Sequence, residues 1–301
     1  MPTNITATAY NNLRDRLNLV MGIGSSGYGQ TLESATVQSG QTFTLQMWNA
    51  LRNDMLKARQ HQTGVSEAAN LAAVSNTTPI TNSLITQYDN FITAITTNQR
   101  VIANNQATLE TLVTGIRTIA WNGVLTHTVT VTFASAIQAR YFFNAGGQIR
   151  FAASRSGAAA TSKDTDWTNL LSTMGTLYMD YNSTSFLPGG SGSGSPKGFY
   201  NLTTTFQTLF VKGSSIYAYT ENDYNIAARV DNATLPTVLT FKIEFRDDDT
   251  GNRPVPSPPP PFGPKIDESV TGNLLSTVLS FRPSGSNVSV TGPIASGTPI
   301  A

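Results

Sequence analysis

Two histidines, His61 and His127, are all the imidazole this chain offers for acid–base or metal chemistry, and it has no cysteine. Thiolate nucleophiles, zinc–sulfur sites and disulfides are therefore closed to it. His61 follows a basic helix end and His127 sits on the apolar side of a strand-like run, with no triad or zinc spacing around either. Both are expected to be ordinary side chains, His61 at a helix end and His127 packed on a strand face. Carboxylates gather at Asp164 with Asp166, at Glu221 with Asp223, and at Asp247, Asp248 and Asp249. A turn carrying three acids invites calcium. This one lacks the alternating ligands, the sixth-place glycine and the closing glutamate of an EF-hand loop. A solvated turn is expected there, and no metal ligand, cofactor site or catalytic residue is assigned.

The stretch RYFFNAGGQIRF, residues 140–151, sets three aromatics beside a double glycine. It matches neither phosphate-binding glycine pattern, and no lysine follows the glycines. It reads instead as a short helix containing Ile137 and Tyr141, a turn at Asn144, Gly146 and Gly147, and a strand starting at Gln148. Trp167, Tyr178, Tyr200, Tyr217, Tyr219 and Tyr224 have the side chains that stack on sugars. Aromatics in a small β-rich domain more often fill cores and interfaces.

Composition narrows the partners. The formal net charge is +1, which gives no field to attract nucleic acid or an anionic membrane. Only 12% of the residues are charged, against roughly 25% in ordinary soluble domains, with Thr, Asn, Ser and Gln in their place. Such surfaces suit proteins packed against copies or partners. No apolar run approaches a transmembrane length, and the first twenty residues lack the basic-then-apolar order of a secretory signal. The expectation is a chain made in the cytoplasm, with no membrane and no nucleic acid among its partners.

With 301 residues, two domains are expected, and the apolar period changes near residue 120. Up to that point the spacing is helical. Tyr10, Leu13, Leu17 and Val20 mark a first helix ended by Gly22, Gly24 and Gly27, and Leu45, Trp48, Leu51 and Met55 mark a second from about Phe43 to Arg59. After Pro79 the residues Ile85, Tyr88, Ile92, Ile95, Gln99, Ile102, Gln106, Leu109, Val113 and Ile116 alternate by three and four. That is a heptad pattern over about 32 residues, roughly 48 Å of helix. Two arrangements bury such a seam: a homo-oligomeric coiled coil, for which β-branched seam residues favour a trimer, or a bundle with the two preceding helices.

Residues 121–301 alternate with period two, giving an α+β chain with a helical oligomerisation or docking domain, 1–120, before a β-rich domain. Strands are expected at Leu125–Phe133, Gln148–Ala153, Thr176–Tyr181, Ser215–Thr220, Tyr224–Val230, Val238–Arg246, Ser276–Arg282 and Asn287–Thr291. KDTDWTNLLSTMG reads as a helix capped by Asp164 or Thr165, and YNLTTTFQTLF as a second short helix. The Gly/Ser segment 188–198 has flexible-linker chemistry, and the Pro-rich segment 253–264 reads as a stiff connector.

Several of these stretches resemble a group of virion structural proteins of tailed cyanobacterial phages. They are RYFFNAGG followed by QIRF, WNG at 121–123, DTDW, LLSTMGT, YNL, IEFRDDDTG and SFRPSGSNVSV, with GYGQ at 27–30 and MWNALRNDMLKARQHQTG at 47–64 in the first half. The resemblance covers most of the chain and carries no catalytic motif. It implies a structural part of the particle, in the tail, neck, baseplate or a fibre. A receptor- or carbohydrate-binding fibre module is the alternative.

Overall fold

A computed structural model describes residues 6–41, 43–75, 77, 80–159, 161–216, 219–248 and 268–301. The Pro-rich segment 253–264, Tyr217 and Asp249 lie outside the described residues. The chain is α+β, with five α-helices and ten strands among the described residues, and most of the strands fall in its C-terminal half. It divides into two compact units. Unit one takes residues 1–109 together with 136–147 and 281–292, and unit two takes the rest.

In unit one, α1 (Ala7–Met21), α2 (Leu45–Thr63) and α3 (Asn82–Thr97) pack on one another. Each starts at a threonine, Thr6, Thr44 or Thr81, whose hydroxyl accepts the backbone N–H three residues on. This satisfies one otherwise orphaned donor per helix. Tyr10, Leu17, Trp48, Leu51, Met55, Tyr88, Ile92 and Ile95 are essentially solvent-free and form the core. Trp48 touches both Tyr10 and Tyr88. The short helix α4 (Ala136–Asn144) belongs to this unit as well.

The long heptad helix is not formed. α3 stops at Thr97, and residues 107–117 form strand β1 (Ala107–Arg117). Thr96, Thr97 and Asn98 are weak helix formers, and Asn98 ends the helix. ATLETLVTGIR is rich in Thr, Leu, Val and Ile, and Gly115 interrupts it, a composition that suits a pleated strand. The three-four spacing of its apolar residues is one that a strand also tolerates.

Unit two holds most of two five-stranded sheets, ordered β1-β9-β3-β4-β5 and β10-β2-β8-β7-β6. The remaining strands are β2 (Gly123–Thr132), β3 (Gln148–Ser156), β4 (Leu177–Met179), β5 (Thr184–Phe186), β6 (Gln207–Gly213), β7 (Asp223–Val230), β8 (Val238–Asp247), β9 (Asn273–Pro283) and β10 (Ile294–Gly297). The second sheet is antiparallel throughout, and so are β3 with β4 and β4 with β5. β2 and β8 pair in continuous register from Gly123 opposite Asp247 to Thr132 opposite Val238. Their alternates Leu125, Val129 and Val131 on β2 with Leu239, Phe241, Ile243 and Phe245 on β8 are buried. The Phe151 ring of β3 meets Phe241 of β8 edge-on at 5.0 Å between centroids. Helix α5 (Ser162–Met174) packs on β3 and β6.

Several local expectations need correction. α5 is capped by Thr161, one turn earlier than Asp164 or Thr165. YNLTTTFQTLF is a 3-10 turn at Phe199–Asn201 followed by β6, since its Thr and Phe residues find ladder partners on β7. Ser215 and Ile216 lie outside any strand, and of Asn287–Thr291 only Ser289 makes a bridge, to Ser284. The Gly/Ser segment 188–198 is built into the fold. Ser193 bridges Val211 of β6, Ser195 bridges Thr184 of β5, and Gly192 lies flat against the Phe210 ring. Its glycines permit close approach, where the composition reads as slack.

Candidate interaction surface

Five stretches that stand far apart in the sequence meet in unit one. Asn144 donates from Nδ2 to the carbonyls of Ser25 and Gly27, each at 3.0 Å, and Arg100 donates to its Oδ1. The Tyr141 hydroxyl donates to the Ile23 carbonyl, and its ring covers Gly29 so closely that any Cβ there would collide with it. Gly146, at φ +83°, turns the chain after α4, and the Ala145 carbonyl lies 2.9 Å from His61 Nε2. The Tyr28 hydroxyl donates to the Gln99 carbonyl, and Gln62 donates to Tyr28 and to the Ile95 carbonyl. From the C-terminal side, the Ser289 carbonyl accepts from Gln30 and Asn287 donates to Gln60. RYFFNAGG, GYGQ, the end of MWNALRNDMLKARQHQTG and part of SFRPSGSNVSV thus form one interlocked knot.

His61 is fully buried in that knot, and its Nε2 carries the proton it donates to Ala145. Desolvation lowers its pKa to about 4, so the ring is neutral at physiological pH. His127 is fully buried in unit two. Its Nδ1 is 2.9 Å from the Ser276 hydroxyl of β9, and burial lowers its pKa too. Gly115 makes room for it, since a Cβ there would stand 2.9 Å from the imidazole and 3.0 Å from Ile300. Each histidine is buried with one ring nitrogen hydrogen-bonded and the other, His61 Nδ1 or His127 Nε2, without a partner among the described residues.

The acids of unit two are also engaged in the fold. Asp164 accepts from Arg155 at 2.5 Å and from the Thr271 amide and hydroxyl at 2.8 and 2.7 Å, with both charged side chains buried. Burial alone would raise its pKa, but the bonds from Thr271 and Arg155 outweigh that and hold it low. Asp166 is buried with the Ser214 hydroxyl on one oxygen, and desolvation raises its pKa. Asp247 does not sit in a solvated turn. It ends β8 as a buried residue, and the Lys163 ammonium stands 3.1 Å from its Oδ2, where a calcium ion would have to bind. Asp248 pairs with Arg246 at 3.2 Å.

The ten residues expected to form one helical seam are dispersed. Tyr88, Ile92 and Ile95 are buried within unit one, with Ile85 half-buried beside them, so they serve an intramolecular bundle. Gln99 and Ile102 lie in the connection after α3, and Gln106 is buried and accepts Ser284 N–H on its backbone carbonyl. Leu109, Val113 and Ile116 lie on β1. A trimeric coiled coil loses its basis.

The same relocation exposes a surface that the helical reading conceals. Sheets leave unpaired N–H and C=O groups at their edges, and proteins blunt them with short strands, charges, prolines, bulges or covering loops. Here β5 has three residues and β10 four, and segment 188–198 bridges both β5 and β6. β1 is the fourth edge, eleven residues long, with no proline or lysine. Leu109 and Ile116 on it are 54% and 60% exposed, and Ile119 just beyond it 69%. Leu109 and Val113 fall on one face of this strand and Leu112 and Ile116 on the other, so no period-two signal marks it in the sequence and the heptad match hides it.

Of the candidate sugar-stacking aromatics, Trp167, Tyr219 and Tyr224 are buried, Tyr178 is half-buried and Tyr200 is exposed. Trp167 packs on Trp121 and Phe245, and Tyr224 on Phe245. Among the described residues they form no platform of neighbouring exposed rings. Among the described residues no helix is long and apolar enough to cross a membrane. Comparison with protein-family models, curated proteins and solved structures returns no match.

Proposed function

We propose that this protein is a structural component of a tailed-phage virion, in the tail, neck, baseplate or a fibre, and that it acts by protein–protein assembly with copies of itself and other virion proteins. The observation that carries this reading is the knot in unit one. The stretches that resemble cyanophage structural proteins spend most of their polar groups on one another: Asn144, Tyr141, Tyr28 and the Nε2 of His61 all bond within the unit. That is the use expected of residues that hold a shape. The low charge and the open β1 edge fit a part that packs against neighbours. The burial of Trp167, Tyr219 and Tyr224 weighs against a carbohydrate-binding fibre module.

Antibody against the purified chain, applied to particles from a cyanobacterial culture infected with the phage that encodes it, tests the reading by electron microscopy. Labelling at one fixed place on the particle is the expected result. Particles that stay bare after mild disruption, with the chain confined to the lysate, would refute it.

A further inference from the structure

We propose that β1 is a docking strand whose partner is β1 of a second copy, paired antiparallel across a two-fold axis at Thr114. This rests on the assembly reading and names its surface. The first argument is the contrast between edges. Three of the four sheet edges are short or bridged by segment 188–198, whereas β1 is long, has no proline or lysine, carries only one acid and one base, Glu110 and Arg117, and has no bridging segment on it among the described residues.

The second argument is self-complementarity. Val113 and Gly115 point inward, to Gly297 and to His127, so Leu112, Thr114 and Ile116 point outward, and Thr114 and Ile116 are exposed. A two-fold axis normal to the sheet keeps each residue on its own face, so paired positions must share parity. With Thr114 on the axis, Leu112 of each copy lies opposite Ile116 of the other, and Thr114 faces its own counterpart. Aliphatic and Thr–Thr cross-strand pairs are both stabilising, by roughly 0.2–1 kcal/mol each. Val113 falls opposite Gly115, and Thr111 opposite Arg117, so no like charges meet. Centred on Val113 or Leu112 instead, the pairing sets Ile116 against Glu110 or Thr108 and wastes the apolar match. Glu110 and Arg117 also leave the paired segment 110–117 neutral, so two copies do not repel.

The chain has no cysteine, which makes the test clean. Thr114→Cys should cross-link into a disulfide dimer under mild oxidation far faster than Ser172→Cys, an exposed control on α5. By sedimentation the unmodified chain should be a dimer. Thr114→Lys should weaken it at least about tenfold by setting two ammonium groups face to face, and Thr114→Ser should leave it intact. A monomer at about 100 µM overturns the proposal, as does a dimer indifferent to Thr114→Lys or equal cross-linking of the two cysteine variants. So does β1 amide protection that appears only with another virion protein, which would assign the edge to a foreign strand. A monomer found in particles would sink this pairing alone; a dimer absent from them would sink the assembly reading.

Discussion

Unit one and unit two both join distant parts of the chain, but by different means. In unit one most of the long links are side chains: Asn144 to the 25–27 turn, His61 to Ala145, Asn287 to Gln60. In unit two they are a backbone ladder, in which strands from the start of the unit pair with strands near its end, as β2 does with β8 and β10, and β1 with β9. A ladder bond forms whatever the side chains are, so unit two is vulnerable mainly where it buries charge or packs tightly. The side-chain links of unit one are specific, and a single group removed or protonated breaks one.

The largest expected effect tests the buried charge of unit two. Asp164→Ala leaves the Arg155 guanidinium buried without its carboxylate and should cost unit two about 3–5 kcal/mol, read from denaturant unfolding. A loss below about 1 kcal/mol would mean that water reaches the pair.

Acid should separate the units next. His61 binds a proton near pH 6.5 when unfolded and only near pH 4 when folded, so between those values the unfolded state holds more protons. Stability from this group is therefore complete above about pH 6.5 and falls as the pH drops toward 4, by about 3 kcal/mol in all. Replacing His61 with Gln should flatten that part of the pH profile while lowering the plateau. A profile unchanged by the substitution would show that the imidazole titrates in solvent.

Smaller effects sharpen the contrast. Gly115→Ala presses a methyl group onto His127 and Ile300 and should destabilise unit two by about 1–3 kcal/mol, where a Gly→Ala change in an open strand would be mild or helpful. Thr44→Ala removes the cap of α2 and should cost unit one about 1 kcal/mol. Thermal melts of the two variants would show whether each loss stays in its own unit.

Legibility in the sequence followed how local the determinant was. α1, α2, β2, β7 and β8 could be read because their apolar period and caps are contained in the segment itself. RYFFNAGG was also readable as helix, turn and strand, since Asn144 and Gly146 supply the turn chemistry. Its burial in unit one was not, because the Ser25 and Gly27 carbonyls that hold Asn144 are more than a hundred residues away. β1 failed for a different reason. Leu109, Val113 and Ile116 satisfy a helical spacing, and only pairing with β9 decides in favour of strand. Asp247 looked like one of three turn acids, and its partner Lys163 is 84 residues away. The histidines could be read as structural from their lack of catalytic company, though not the particular groups they bond.

The most direct test of an assembly role is to count this chain in purified particles by quantitative mass spectrometry against an internal standard. The account predicts a fixed number of copies per particle, the same in every preparation and retained through washing at high salt. A trace amount that varies between preparations, or washes away, would contradict it.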